Sequence, residues 1–253
     1  MIQKVILCLL ITIAAAQAAV ARGSVNYIFD LPTCQTPGKN ILLFDNGHRY
    51  FDPVKHTTNV NIALGYGITG NWDVTVARSF KNMDIVGSTK VTLFDDYPAE
   101  GNFFSLALAA GGGYKEDSED VLAQKDQASY FGQLIIQKHF FANRISIGVV
   151  PTYAYNTNFY GFKSRHDTSA GFGAFLQIYI SDKISVCGEA ITNVYGFAFK
   201  YMTYNAGFKY AAYRHTFAIW AGNSGGYSPV EYSTGSTELK PKTSFAFTRE
   251  FDL

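Results

Sequence analysis

Apolar and polar residues alternate along most of this chain. The clearest instance is Thr58–Phe80, TNVNIALGYGITGNWDVTVARSF. Val60, Ile62, Leu64, Tyr66 and Ile68 fall on one face, and Asn59, Asn61, Ala63, Gly65 and Gly67 fall on the other. After the turn TGN, Trp72, Val74 and Val76 alternate with Asp73, Thr75, Ala77 and Ser79. A period of two is that of a β-strand, and two such runs around a tight turn predict a hairpin. The same pattern predicts strands over 41–51, 58–68, 72–80, 85–94, 103–114, 128–140, 144–155, 167–180, 184–194, 201–210, 215–223 and 243–252. No helix-period segment competes with them. Pro151 falls inside a strand, where a missing ladder donor predicts a bulge.

The connections fall into two classes. Those after even-numbered strands are short: TGN, DDYPAEGN, FAN, SDK and AAYR. Those after odd-numbered strands include KEDSEDVLAQKDQ, NTNFYGFKSRH and SGGYSPVEYSTGSTELKPK. An outer-membrane barrel alternates in this way, with short turns in the periplasm and long loops outside. The strand faces agree. Ile184, Val186, Gly188 and Ala190 oppose Ser185, Cys187 and Glu189; Phe172, Ala174, Leu176 and Ile178 oppose Gly171, Gly173 and Gln177. A water-exposed face would carry many lysines and glutamates. Small and amide residues suit a narrow lumen. The expected fold is all-β, a closed antiparallel up-and-down transmembrane β-barrel of about twelve strands. Its apolar face meets lipid, because only closed pairing satisfies the backbone in hydrocarbon. Asn61, Lys90, Gln133, Gln137, Gln177 and Glu189 are the candidate lumen residues.

Composition sharpens this picture. Charged residues are 16% of the chain, below the usual quarter of a soluble domain, and aromatics are also 16%, with 17 Tyr and 21 Phe. Aromatics near strand ends (Tyr66, Trp72, Phe140, Phe141, Tyr153, Tyr155) fit interfacial girdles. A formal net charge of +1 leaves no basic footprint for nucleic acid. At the N-terminus Lys4 precedes an apolar run, Val5–Ala16, followed by Ala-Gln-Ala and Ala-Val-Ala. This is the form of a cleaved signal peptide over residues 1–21, implying export. Residues 22–39 would then be a periplasmic N-terminal segment and residues 40–253 the barrel.

Two motifs add a resemblance. KNILLFDNGHRYFD followed by IALGYGITGNWDVTVARSF resembles an uncharacterised family of Gram-negative outer-membrane β-barrel proteins. Members open on a strand with a His-Arg-aromatic triplet, here His48, Arg49 and Tyr50, and continue with a strand like Leu64–Thr69. The resemblance implies a fold and a location in the outer membrane, and no reaction. The last strand, KTSFAFTREFDL, puts Phe245, Phe247, Phe251 and Leu253 on one face, interrupted by Arg249. Such a strand resembles the signal read by the barrel-insertion machinery.

Candidate chemistry is sparse. There is no GxSxG, HExxH or P-loop, and the five histidines lie on separate strands and loops. No enzyme, cofactor or metal is expected. The acidic run Glu116, Asp117, Glu119, Asp120 reads as a solvated loop tip, with divalent-cation binding the alternative. Two cysteines follow the signal peptide. Cys34, just before the first strand, and Cys187, inward near a short turn, could pair and pin the N-terminal segment as a partial plug; two free thiols are the alternative. The expected function is a narrow passive channel for small polar solutes. The alternative is a surface-binding or structural barrel whose long loops engage a partner. The expected partners are outer-membrane lipid and the insertion machinery, with no nucleic acid; the pattern leaves oligomeric state open.

Overall fold

The computed structural model describes residues 26–52, 57–81, 84–96, 102–115, 128–157 and 168–253. The expected signal peptide, the acidic run, His56 and His166 lie outside these residues. Twelve antiparallel strands run in chain order: β1 (Ile41–Asp52), β2 (Thr57–Gly67), β3 (Trp72–Ser79), β4 (Asp84–Phe94), β5 (Ser105–Lys115), β6 (Ala128–Phe140), β7 (Ile145–Tyr155), β8 (Thr168–Tyr179), β9 (Ile184–Gly196), β10 (Thr203–Ala212), β11 (His215–Gly222) and β12 (Lys242–Asp252). Each pairs with its sequence neighbours, and β1 pairs with β12 from Ile41↔Asp252 to Arg49↔Ser244, which closes the barrel.

The strands are two-faced as their period requires. In β2, Asn59, Asn61 and Gly65 are buried while Leu64 is half exposed. In β8, Ser169, Gly171, Gly173 and Gln177 are buried while Phe172, Leu176 and Ile178 face outward. A polar interior with an apolar exterior inverts the soluble arrangement and suits hydrocarbon outside. Trp72, Phe140, Phe141, Tyr153 and Tyr155 are all exposed on the outer surface near strand ends. Phe245 and Phe251 also face outward, and the Arg249 guanidinium lies 4.8 Å from the Phe251 ring centre.

The bulge expected at Pro151 is absent. The β7–β8 register runs straight through Val150↔Gly173 and Pro151↔Phe172. On the other side the β6–β7 ladder is interrupted between Gln133↔Thr152 and Ile136↔Val149, with no change of register. Proline removes one donor, and the strand omits that rung rather than inserting a residue. The irregularities fall instead at Tyr50/Asp52, Thr92/Phe94 and Ala170/Gly171.

The core lies inside the barrel. Inward apolar side chains on β5–β9 (Ala107, Ile135, Val150, Phe175 and Ile191) pack against Ile28, Leu31 and Cys34 from the N-terminal segment and Tyr232 from the β11–β12 connection. Residues 22–39 were expected in the periplasm; of these, Asn26–Cys34 lie inside the barrel, while Gly38 and Lys39 are exposed at its short-turn end.

The outward position of Val76, between Leu64 and Gly87, gives a test of the faces. Val76→Arg should cost about 2–4 kcal/mol near the bilayer midplane. Its yield of heat-modifiable folded barrel on unboiled gels should fall, while Val76→Leu should leave it unchanged.

Candidate functional site

The N-terminal segment enters the lumen at the short-turn end, where the Asn40 amide donates to the Gly67 carbonyl at 2.8 Å. Only a residue without a side chain fits here: a Cβ on Gly67 would lie 2.1 Å from the Gly38 carbonyl oxygen. Deeper in, the segment doubles back. Tyr27 and Pro32 form an antiparallel bridge, the Ile28 amide donates to Leu31, and the Thr33 amide donates to Asn26. Phe29–Asp30 is therefore the tip of a hairpin-like plug.

Wall residues hold this tip by charge. The Glu189 carboxylate accepts the amides of Phe29, Asp30 and Leu31 at 3.2, 2.8 and 3.1 Å. The Asp30 carboxylate is ion-paired with Arg49 and accepts from Asn205 Nδ2 at 2.8 Å. The same Asn205 amide reaches Glu189 at 2.7 Å. Arg49 is 1% exposed, donates to Ser224 Oγ, and lies 4.0 Å from the Tyr227 ring centre and 6.0 Å from that of Trp220. Each buried charge thus has an opposite charge or several hydrogen-bond partners, which burial demands.

The six sequence-derived lumen residues all lie on the inward face and are buried. Four of them engage the two intruding segments. Lys90 donates to the Gln35 carbonyl at 2.5 Å, and Gln137 Oε1 accepts the Cys34 amide at 2.8 Å. Gln133 donates to the Tyr232 hydroxyl at 2.8 Å, and Glu189 binds the tip. Gln177 donates to Ser185 within the wall, and Asn61 borders open space. Sequence reasoning missed Arg49, Asn205, Lys209 and Trp220. Lys209 donates to the Tyr27 carbonyl, and Trp220 stacks on Phe29 with ring centres 4.9 Å apart. The signal for Arg49 was its parity with Gly47 and Asp45, which turns it inward.

Cys34 and Cys187 are buried free thiols, so the disulfide considered above is not formed. Cys34 Sγ donates to the Ile135 carbonyl at 3.4 Å, and Cys187 Sγ lies 3.6 Å from Ser185 Oγ. Burial pushes the Cys34 thiol up to about 12, which keeps it protonated and unreactive. The plug is pinned by ion pairing and backbone bonds.

The β11–β12 connection closes the long-loop end. It folds inward through a single turn, α1 (Pro229–Tyr232), capped by Ser228 with Glu231 returning to the Ser228 amide. Between it and the plug remains a cavity of about 140 Å³, bordered by Phe29, Asp45, Lys90, Lys209, Trp220 and Tyr227 among others. That volume matches an engineered cavity that holds one benzene.

Among the described residues, Asp95, Asp96 and His139 each offer a ligand atom within 4.8 Å of the others. Asp96 is already committed. His139 Nδ1 lies at 2.6 Å, the His139 amide at 3.0 Å and Lys138 Nζ at 3.0 Å. Burial alone would raise its pKa, but these bonds and Ser105 outweigh it and hold the carboxyl below the usual range. The lysine already supplies the positive charge a metal would bring. His48 and His215 stack on Phe245 and Phe247 on the outer surface.

A family model described as "Membrane bound beta barrel domain (DUF5777)" matches residues 25–248. The chain belongs to this family. A search of curated protein sequences finds no match. Among solved structures, the NanC porin is similar with a TM-score of 0.55 and 11% identity, covering 84% of this chain and 100% of that one. The KdgM porin gives 0.53 and 6%, covering 84% and 99%. An active-site mutant of outer membrane phospholipase A from Escherichia coli gives 0.51 and 9%, covering 91% and 98%. At these identities the likeness is one of fold: this is a membrane-bound barrel with the fold of outer-membrane proteins.

Arg49 is the anchor whose loss should free the plug. Arg49→Gln leaves Asp30 buried without its cation, a change costing about 3–5 kcal/mol unless the segment leaves. We expect Cys34, inert to alkylation in the native barrel, to label readily in Arg49→Gln while Cys187 changes less. Mass spectrometry of the two peptides checks this.

Proposed function

We propose that this protein is a passive channel for small polar solutes in the outer membrane of a Gram-negative bacterium, held shut by its own N-terminal segment. The observation that carries the reading is the lumen wall. Beneath the plug it is lined by Lys90, Gln137, Glu189 and Lys209, which bond the plug through its backbone carbonyls and amides, and by Gln133, which bonds Tyr232 of the β11–β12 connection. A barrel that served only as a scaffold would gain more from an apolar filling, because burying polar and ionic groups returns little stability. The NanC and KdgM porins are among the similar folds, which supports a transport role.

In the plugged state the segment is bonded to Lys90, Gln137, Glu189 and Lys209 of the wall, so on this reading conduction requires the segment to move. The plug belongs to no strand of the ladder, and removing it breaks no rung of the barrel. The inward course of the β11–β12 connection counts against the alternative, since that long loop is spent inside the barrel.

Planar-bilayer recording tests the reading. The native chain should show small, infrequent openings. Glu189→Gln, which weakens the acceptor of three plug amides, should raise open probability severalfold and change ion selectivity. A silent bilayer for both proteins, inserted and folded, would defeat it.

A further inference from the structure

Both side chains that hold the Asp30 carboxylate belong to the barrel wall, Arg49 on β1 and Asn205 on β10, and Ser224, just after β11, accepts from Arg49. The group that gathers the neighbouring amides, Glu189, is also on the wall. The plug supplies only a peptide: one carboxylate, three successive N–H groups and the ring of Phe29 on Trp220. Withdrawal of the plug would leave a complete dipolar receptor, with a cationic pole at Arg49, an anionic pole at Glu189 and Asn205 between them.

This receptor exceeds what pinning requires. The apolar wall of β5–β9 already packs Ile28, Leu31 and Cys34. A fully buried arginine adds desolvation cost for little net stability. Arg49 Nε is buried and has no hydrogen-bond partner, so the guanidinium fork offers a donor the plug does not use. Asp30, Phe29, Trp220 and Tyr227 border the cavity, so the receptor adjoins a space where a solute can stand beside it.

We propose that this wall is a binding site for a short aspartate-containing peptide, with its carboxylate on Arg49 and its amides on Glu189, and that the Phe29–Leu31 turn occupies it as a tethered stand-in. The proposal rests on the channel reading only for how such a solute reaches the site. The planar fork of arginine suits a carboxylate, and a fixed carboxylate selects N–H donors. Trp220 against the tip favours an apolar side chain beside the aspartate.

Trp220 also provides the readout. The chain has two tryptophans, and Trp72→Phe leaves Trp220 alone. In detergent, full-length Trp72→Phe/Asp30→Asn is titrated with N-acetyl-Phe-Asp-Leu-amide and with its Asn counterpart, following Trp220 emission. We expect saturable binding at least tenfold tighter for the aspartyl peptide, loss of that preference on adding Arg49→Gln, and at least tenfold weaker binding when Asp30 is retained. Equal affinity for the two peptides, or no binding by a barrel that is folded on unboiled gels, would overturn the proposal. If Asp30→Asn refolds poorly, the aspartyl peptide present during refolding should restore the yield and the Asn peptide should not; equal yields with the two would overturn it as well. A rise in conductance without peptide preference would leave the channel standing and remove the site, and peptide preference without conductance would do the reverse.

Discussion

Closure of β1 onto β12 is the constraint from which the rest of this structure follows. In hydrocarbon an unpaired backbone donor or acceptor has no water to turn to, so each strand must bond on both sides. Twelve strands meet that condition with no edge left. Closure then fixes which residues face lipid, because the side-chain period is two and a slip of one residue would invert every face. It also creates an interior that must be filled. Here the chain fills it with its own two irregular stretches, the segment before β1 and the connection between β11 and β12.

The interior is not uniform. Along β5–β9, inward Ile135, Val150, Phe175 and Ile191 make an apolar bed for Ile28 and Leu31. Gly173 lets Leu31 come close: a Cβ there would lie 2.7 Å from the leucine side chain. The opposite wall carries the buried Arg49, with Lys209 and Asp45 beside open space. The plug is thus seated on one wall by packing and on the other by charge. Packing is insensitive to direction, whereas the charge contacts admit one orientation of the tip.

Most of the framework was legible because it is periodic. The strand boundaries expected from alternation lie within about two residues of those observed, and the short–long rhythm of the connections gave the topology. What escaped was not periodic. Ser228-Pro229-Val230-Glu231 carries a capping box with proline at the first helical position, and a single turn is too short to show a helical period. Asn61 and Glu189 were assigned inward by parity, but parity cannot say what stands opposite them. The partner of Glu189 is a run of backbone amides, which no side-chain pattern announces. Arg49 sat in a recognised triplet whose outward members both meet Phe245, His48 stacked on it and Tyr50 tilted against it. The triplet's inward member proved to be the anchor of the plug.

The doubled course of the plug has a mechanical consequence. The antiparallel bridge between Tyr27 and Pro32 sends the arm that carries Asn26 back toward the end where the segment entered. Tension on that arm would therefore act along the barrel axis at one flank of the hairpin. It would load the Lys209–Tyr27 contact first, then the amides on Glu189, and the Arg49–Asp30 pair only afterwards. Contacts loaded one after another yield to a smaller force than the same contacts sheared together. On the channel reading such a hairpin would be peeled from the wall, and with a turn at its tip it would leave and return without threading.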